Sequence, residues 1–584
     1  LTVVPLFCAR WIQALPAGEA EAEGDVVHEK GAPARDSGWS VRFNFWFNRH
    51  FGAMLGRYEQ AVGWALRRPR LTVGAISGLF VLSLGMYPIL GIAFFPRTDA
   101  GQFVMNLKAM PGTRIELMTQ EVQRVEARVR QTVAPGDLKM VVSNIGVIPG
   151  FSSIYTSNSG PYTATVQVAL TSNHRVDSYT YMDRMRQQLH AQMPELSAFF
   201  QSGGMVDAIL NQGLPAPIDV QVSGAGLDAD EAVAVRLARR FRALPGVSDV
   251  FVPQDMDYPA IQLNVDRERA SELGLSQKEV IDNVITALTS NGMIAPSYWI
   301  DPATGNDYML TVQYPEQQVD SLQALRGIPL RRPGAAGTAR LGEVASIMRT
   351  ESPTEVDHYQ IERRLDIYVN PATEDLGRVA SAIRRVLAGQ ALPAGVRVNL
   401  RGMVQSMDAS FHSFALGLAL ALVLLYLILV AQFRSFMDPL LILLAVPTGV
   451  TGVLMILAFT GTTLNVMSLM GVIMMVGIVV SNSILIVEFA HRLEARGRGV
   501  AEAAIESCRI RLRPILMTSL ATVIGLIPLA LKLGTGSEAY APLARAIIGG
   551  LLVSVVLTVF IVPAAYVVVY GRRKNPTALA GQSS

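Results

Sequence analysis

The chain has 584 residues, of which 50% are hydrophobic and only 17% charged, and its mean hydropathy of +0.33 is too high for an ordinary soluble protein. A net charge of +3 gives no reason to expect a nucleic-acid partner. The two cysteines, Cys8 and Cys508, lie far outside the long middle of the chain, which excludes a disulfide framework or a cysteine metal site there. Residues 1–10, LTVVPLFCAR, read as the end of a transmembrane helix closed by a basic anchor, so the chain is expected to be a fragment cut inside a span. Residues 11–38, with Glu19, Glu21, Glu23 and Asp25, read as a polar linker.

Residues 39–70 follow an amphipathic pattern. Phe43, Phe47, Phe51, Leu55, Tyr58, Val62 and Leu66 recur at helical spacing, with Arg42, Arg49 and Arg57 between them. Such a helix suits a membrane surface; the alternative is a soluble helix packed on a core. Arg67, Arg68 and Arg70 precede an apolar span at 71–95. Residues 97–410 then hold no stretch long enough to cross a bilayer. Their pattern is strand then helix, repeated: 103–109 and 114–131; 218–223, 228–244 and 247–252; 365–369, 377–387 and 396–400. These are β-α-β units of the ferredoxin-like kind. Residues 260–346 read as an insertion into one of them.

Five spans follow, at 413–433, 439–460, 464–490, 514–534 and 544–570. Residues 464–490 are the most informative. Ser481, Asn482 and Ser483 sit together in the middle of that run, where polar groups usually hydrogen-bond to other helices. The loop 491–513 carries six arginines, Arg434 marks another basic loop, and the tail 571–584 begins with Arg572, Arg573 and Lys574. With alternating spans, all basic loops fall on the cytoplasmic side. The long segment 97–410 therefore lies outside the cytoplasm.

Three local sequences sharpen this plan: AQFRSFMDPLLILLAVP at 431–447, GIVVSNSILIVEFAHRL at 477–493 and RLRPILMTSLATVIGLIPLAL at 511–531, with FIVPAAYVVV at 560–569. They resemble the carboxy-terminal half of the resistance–nodulation–division (RND) efflux permeases. The resemblance implies an α-helical polytopic membrane protein with a large periplasmic α+β region of ferredoxin-like β-α-β porter subdomains and an inserted docking subdomain. The porter subdomains would be 97–213 and 214–258 with 351–405, and the docking or funnel subdomain 259–350. It further implies a homotrimer in the bacterial inner membrane, driven by the proton gradient without a cofactor. A periplasmic adaptor protein and an outer-membrane channel would be its partners, amphiphilic small molecules its substrates, and the lipid bilayer its surroundings; the alternatives are a heavy-metal or lipid exporter of the same superfamily and a non-transporting sensor or translocation accessory protein.

Proton coupling needs a titratable group in the membrane, and none of these spans carries a midplane carboxylate. In the resembled drug exporters the aspartates lie in the other half. This half supplies a lysine, a threonine and an arginine, and the corresponding positions are Ser481, Thr518 and Arg511. Serine can only hydrogen-bond where lysine would form an ion pair. Ser481 and Asn482 are thus candidates to hydrogen-bond those aspartates, with Arg511 as another cation. The alternatives are that coupling is altered or lost, that residues 481–483 merely join helices and that Arg511 merely anchors the cytoplasmic end.

The resemblance also implies a glycine-rich switch loop near 146–160. Gly146, Gly150 and Gly160 permit mobility there, and Phe151 and Tyr155 are candidates to line an apolar pocket; the alternative is a solvent-exposed loop. Met140, Met205, Met256 and Met293 are scattered, which argues against a methionine-based metal path. The seven histidines show no HxxxH or HExxH spacing and no GxxxxGK[ST] motif occurs, so neither a zinc hydrolase nor direct nucleotide use is expected.

Overall fold

The computed structural model describes residues 39–146, 160–224, 226–331, 338–534 and 536–571. The expected helix end at 1–10, the linker at 11–38, the side chains of Phe43 and Phe47, and the tail beyond 571 lie outside the described residues. Helix α1, Trp39–Arg67, turns Leu55, Val62 and Leu66 into the helical bundle. Tyr58 donates its hydroxyl to the Val559 carbonyl at 3.1 Å, and its ring meets Phe560 edge-on. Over that stretch the apolar stripe covers protein.

Helix α2, Pro69–Leu84, opens on a proline, whose fixed φ suits a first turn. The helical path ends earlier than the sequence suggests. One further turn, Tyr87–Leu90, is followed by Gly91 at φ 70°, a conformation that leaves the helix. Residues 91–94 are then extended: the Leu464 N–H donates to the Gly91 carbonyl, the Ala93 N–H to the Leu464 carbonyl and the Val466 N–H to the Phe94 carbonyl. Backbone pairing takes these residues out of the span expected at 71–95.

The large soluble region holds two units with one topology. In the first, β1 (Gln102–Lys108), α3 (Ile115–Thr132), β2 (Leu138–Ile145), β3 (Thr163–Leu170), α4 (Ser178–Gln192) and β4 (Ser197–Ser202) form a sheet of order β2-β3-β1-β4. Its pairs are antiparallel, with Phe103 opposite Val168 and Met105 opposite Phe200. Alternate residues of β1 (Phe103, Met105, Leu107) face Met118, Val122, Val125 and Val129 of α3, spaced at helical intervals. The second unit repeats this with β5 (Ile218–Ser223), α5 (Leu227–Arg242), β6 (Val247–Phe251), β14 (Glu362–Pro371), α6 (Leu376–Ala388) and β15 (Arg397–Arg401). Its sheet runs β6-β14-β5-β15, and the short β13 (Asp357–Tyr359) also joins β14. Both are ferredoxin-like β-α-β units.

Between β6 and β14 the chain leaves the second unit along β7 (Tyr258–Val265) and returns along its antiparallel partner β12 (Ala345–Ser352). That ribbon leads to a small core of Ala270, Val280, Val284, Leu341 and Val344. The hairpin of β8 (Ser297–Ile300) and β9 (Asp307–Leu310) projects from it with Tyr298, Trp299, Ile300, Tyr308, Met309 and Leu310 all exposed. The strands β10 (Pro329–Arg331) and β11 (Thr338–Arg340) complete this part.

Among the described residues six helical stretches are long and apolar enough to cross a membrane. After α2 they are α7 (Met403–Phe433), the pair α8 (Met437–Leu443) and α9 (Val446–Phe459), α10 (Val466–Ala495), α11 (Val500–Ala530) and α12 (Ala541–Tyr570). Several bounds differ from the apolar runs at 413–433, 439–460, 464–490, 514–534 and 544–570. Helices α7 and α11 begin earlier because their first turns are amphipathic and polar, which hydropathy does not count. The run at 439–460 is broken at Leu444 and Ala445: Pro447 has no N–H to give to the carbonyl four residues back. Helix α10 starts after Asn465, whose side chain caps Ser468. Helices α9, α10 and α11 all pack on α12.

Candidate functional site

Helix α10 is apolar on every side, so its polar triplet is sorted by neighbours alone. Ser483 is buried and donates back to the Val479 carbonyl at 3.0 Å. Asn482 is also buried, with its Nδ2 3.5 Å from Ser519 Oγ on α11. It borders a small cavity with Ile515, Ser554 and Thr558, and Thr558 lies 3.3 Å from the Thr448 hydroxyl on α9. Ser481 points the other way. It is exposed, on the same open stripe as Met470, Met474 and Gly477. Thr518 on α11 is exposed as well, its hydroxyl held by the Pro514 and Ile515 carbonyls of its own helix. The Arg511 guanidinium lies over the Phe489 ring at 4.7 Å, and its buried Nε has no hydrogen-bond partner among the described residues. The four coupling candidates thus divide: Asn482 belongs to the interior of this bundle, while Ser481 and Thr518 face outward.

One polar cluster escaped the sequence reading. At the end of the bundle near the arginine-rich loop, Asp438 is buried and receives the Tyr570 hydroxyl at 2.7 Å. His491 Nε2 lies 3.0 Å from the same carboxylate oxygen, Tyr566 is 3.1 Å from His491 Nδ1, and Tyr566 donates to Glu494 at 2.9 Å. This chain of contacts ties α8, α10 and α12 together. Its members lie up to 132 residues apart in sequence, and the spacings of Tyr566 with Tyr570 and of His491 with Glu494 were the local signals.

The second region is the seam between the two ferredoxin-like units. Arg186 on α4 reaches across it to Asp249 on β6, with Nε and Nη2 at 2.6 and 2.9 Å from the two carboxylate oxygens. Its guanidinium also covers the Phe200 ring at 4.7 Å. Phe199 stacks on Phe251 at 5.5 Å and meets Tyr368 at 6.2 Å. Lys108 pairs with Asp255 at 2.8 Å. Beside these contacts a cleft of about 150 Å³ opens, lined by Phe94, Phe95, Tyr179, Met182 and Phe200 together with Arg97, Asp183, Asp207 and Glu374. Arg97 is fixed by the Pro371 and Thr373 carbonyls and lies over the Tyr179 ring at 4.8 Å. The cleft thus begins where the chain leaves α2 and the membrane bundle.

Of the switch-loop candidates, Gly150, Phe151 and Tyr155 lie outside the described residues. Gly146 ends β2 with φ 53°, and its N–H donates to the Thr163 carbonyl; the Gly160 N–H donates to the Thr163 hydroxyl. Both ends of the loop are therefore pinned to β3. Of the scattered methionines, Met140, Met205 and Met293 are exposed on separate elements and Met256 packs in the second unit.

A junction at the base of the first unit titrates. His174 Nε2 is 2.8 Å from Asp99, which also accepts from the Ser178 hydroxyl at 2.7 Å, and the Asp99 N–H donates to Glu538 in the loop before α12. The Thr171 carbonyl and then Asp99 raise the His174 pKa above its ordinary 6.5. Partial burial pushes Asp99 up, but the hydrogen bonds from Ser178, Gly101 and His174 outweigh it and leave the carboxyl below its ordinary 3.8. The His174 contribution is complete below pH 6.5 and is lost as pH rises through the raised value; the Asp99 contribution is complete above 3.8 and is lost as pH falls through the lowered one. We expect thermal stability at this junction to be greatest between those limits. His174→Gln is expected to remove the alkaline limb alone, read as hydrogen exchange at Asp99 and Ser178 against pH.

The sequence model of the AcrB/AcrD/AcrF family matches residues 1–570. The chain belongs to the AcrB/AcrD/AcrF family. Two X-ray structures of a heavy metal efflux pump, in two crystal forms, share its fold. One superposes with a TM-score of 0.78 at 25% identity, covering 90% of this chain and 53% of the pump. The other gives 0.77 at 24%, covering 90% and 52%. The chain therefore spans about half the length of the pumps it matches. As a member of the AcrB/AcrD/AcrF family it belongs with the RND permeases of the inner membrane, and it has six membrane-capable helical stretches and a large soluble region among the described residues. Among the described residues of this family member, no three His, Cys, Asp or Glu side chains gather as a metal site.

Proposed function

We propose that this chain is the carboxy-terminal half of a proton-driven permease that exports amphiphilic small molecules from the periplasm or outer leaflet by alternating access. The observation that carries the reading is the cleft between the two ferredoxin-like units. It combines aromatic walls with the charged groups Arg97, Asp183, Asp207 and Glu374, the mixture an amphiphile needs. Relative motion of the units would open and close it. The outward faces of Ser481 and Thr518 support a coupling role, because they are free to meet helices outside this bundle. The exposed apolar hairpin β8–β9 supports assembly as a homotrimer, since patches of that kind mark interaction sites. A periplasmic adaptor and an outer-membrane channel complete the proposed pump, and the proton gradient replaces any cofactor.

A second reading, export of heavy-metal ions, is favoured by the identity of the solved pumps that share the fold. The two are separated by measuring efflux of a fluorescent cationic dye and tolerance to a panel of heavy-metal ions in cells carrying the full-length protein, with and without a protonophore. Dye efflux that the protonophore stops is the expected result. Metal tolerance without dye efflux establishes the second reading instead. In the same assay Ser481→Ala is expected to lower dye efflux roughly tenfold, the loss of about 1.4 kcal/mol of coupling. A silent Ser481→Ala in a working pump removes Ser481 from the relay.

A further inference from the structure

The second ferredoxin-like unit buries an unusual set of charges. Residues of β5 alternate: Ile218, Val220 and Val222 face the core under α5 and α6, so Asp219, Gln221 and Ser223 face the opposite side of the sheet. On β14 the same side carries Arg364, Asp366 and Tyr368. Asp219 lies opposite Tyr368 on one neighbouring strand and opposite Arg401 on the other. Both Asp219 and Asp366 are fully buried.

Their partners do not balance them. One guanidinium serves both carboxylates: Arg364 Nη1 is 3.1 Å from Asp366 Oδ1 and 3.7 Å from Asp219 Oδ2. Gln221 donates to Asp219 Oδ2 at 2.7 Å, and Gln254, from the loop after β6, donates to Asp366 at 3.2 Å and to Asp357 at 2.6 Å. Asp219 Oδ1 and Asp366 Oδ1 are buried and have no hydrogen-bond partner among the described residues, the Arg364 ion pair to Asp366 aside. The charged groups facing the pair are Arg364 on β14, Arg401 on β15 and Asp357 on β13. Arg401 is stacked on the Tyr359 ring at 3.9 Å. Three carboxylates therefore face two guanidiniums, and an oxygen on each of Asp219 and Asp366 is buried without a hydrogen-bond donor among the described residues. A buried ionised group in that condition is strongly unfavourable, and taking up a proton relieves it.

We propose that Asp219 and Asp366 share one bound proton while the seam between the two units is closed, forming a proton site in the soluble region separate from any relay in the membrane. The seam is adjacent, because Tyr368, opposite Asp219, is the residue that meets Phe199 of the first unit. Opening the seam would hydrate this face and release the proton. Burial first, and then the charge of Asp366, raises the Asp219 pKa; burial also raises that of Asp366, with Arg364 opposing and Asp357 adding. A raised carboxyl pKa makes the folded unit most stable on the acid side. That stability falls as pH climbs from the ordinary carboxylate range and levels off above the raised value. Acid on the periplasmic side thus favours the closed seam. The inference depends on neither the substrate nor the source of energy for transport, so a failure of either leaves it standing.

The test is infrared spectroscopy of the full-length protein in detergent, comparing wild type with Asp219→Asn and Asp366→Asn. Asparagine keeps the shape and supplies the neutral state. At about pH 7, wild type is expected to show a protonated-carboxyl C=O stretch that titrates away on the alkaline side and is missing from Asp219→Asn. Melting of wild type is expected to fall by a few degrees between about pH 5 and pH 8, with a flatter profile in Asp219→Asn. An unchanged infrared band in both variants, or a melting profile whose pH dependence neither variant alters, overturns the proposal. So does a failure of both variants to fold.

Discussion

Gly452→Ala is expected to prevent the membrane bundle from closing, and Gly452→Val to do so completely. Helices α9 and α12 cross glycine on glycine. A Cβ at Gly452 would stand 2.2 Å from the Gly549 carbonyl oxygen and 2.7 Å from Val553 Cβ. A Cβ at Gly549 would meet Ile456 at 2.2 Å. Neither side can yield cheaply, because the obstacle is backbone or a branched side chain held in a helix. Small residues at such crossings let two backbones approach closely, and van der Waals contact is what holds helices together in lipid. A single methyl therefore costs about 3 kcal/mol, the upper end of what overpacking a rigid core does. The loss is read as the yield of monodisperse protein in detergent and its melting temperature. Gly417→Ala on α7, where a Cβ meets nothing within 4 Å, is the control and is expected to behave as wild type. Equal behaviour of Gly452→Ala and the control would show that the α9–α12 crossing is looser than described.

Arg186→Ala is expected to open the seam between the two units. Asp249 is 2% exposed and takes both of its guanidinium contacts from Arg186. Removing the arginine leaves a buried carboxylate with only the weaker Asn370 amide at 3.3 Å. Breaking a buried pair from one side costs about 3–5 kcal/mol, most of it the isolated charge rather than the lost bond. The double variant Arg186→Met with Asp249→Leu removes the charge with the pair and is expected to recover most of the loss. Hydrogen exchange at β4 and β6, the strands that meet at the seam, reports both. If the double variant exchanges as fast as the single one, packing of Arg186 over Phe200 accounts for the effect, and the buried charge does not.

Much of this architecture is legible along the chain because its causes are local. An apolar run of 20 residues or so is long enough for a bilayer wherever it occurs, and the six stretches appear in their expected order. The same holds for the strand-helix order of both ferredoxin-like units, since alternation and helical spacing are properties of neighbouring residues. The run at 464–490 also showed Ser481, Asn482 and Ser483 as polar groups set into apolar surroundings, whereas Thr518 and Arg511 were singled out by the resemblance. The direction in which each points was decided only in three dimensions. Helix α10 is apolar all round, so it has no face that its own sequence marks as inner or outer, and packing on α11 and α12 turned Asn482 in and left Ser481 out. The end of α2 depended on pairing with residues 464–466, and the Asp438, His491 and Tyr566 cluster on contacts between distant helices. Alternation on β5 likewise announces two faces, one apolar and one carrying Asp219. What covers the second face belongs to other parts of the chain, and burial by those parts makes a carboxylate unable to keep its charge cheaply.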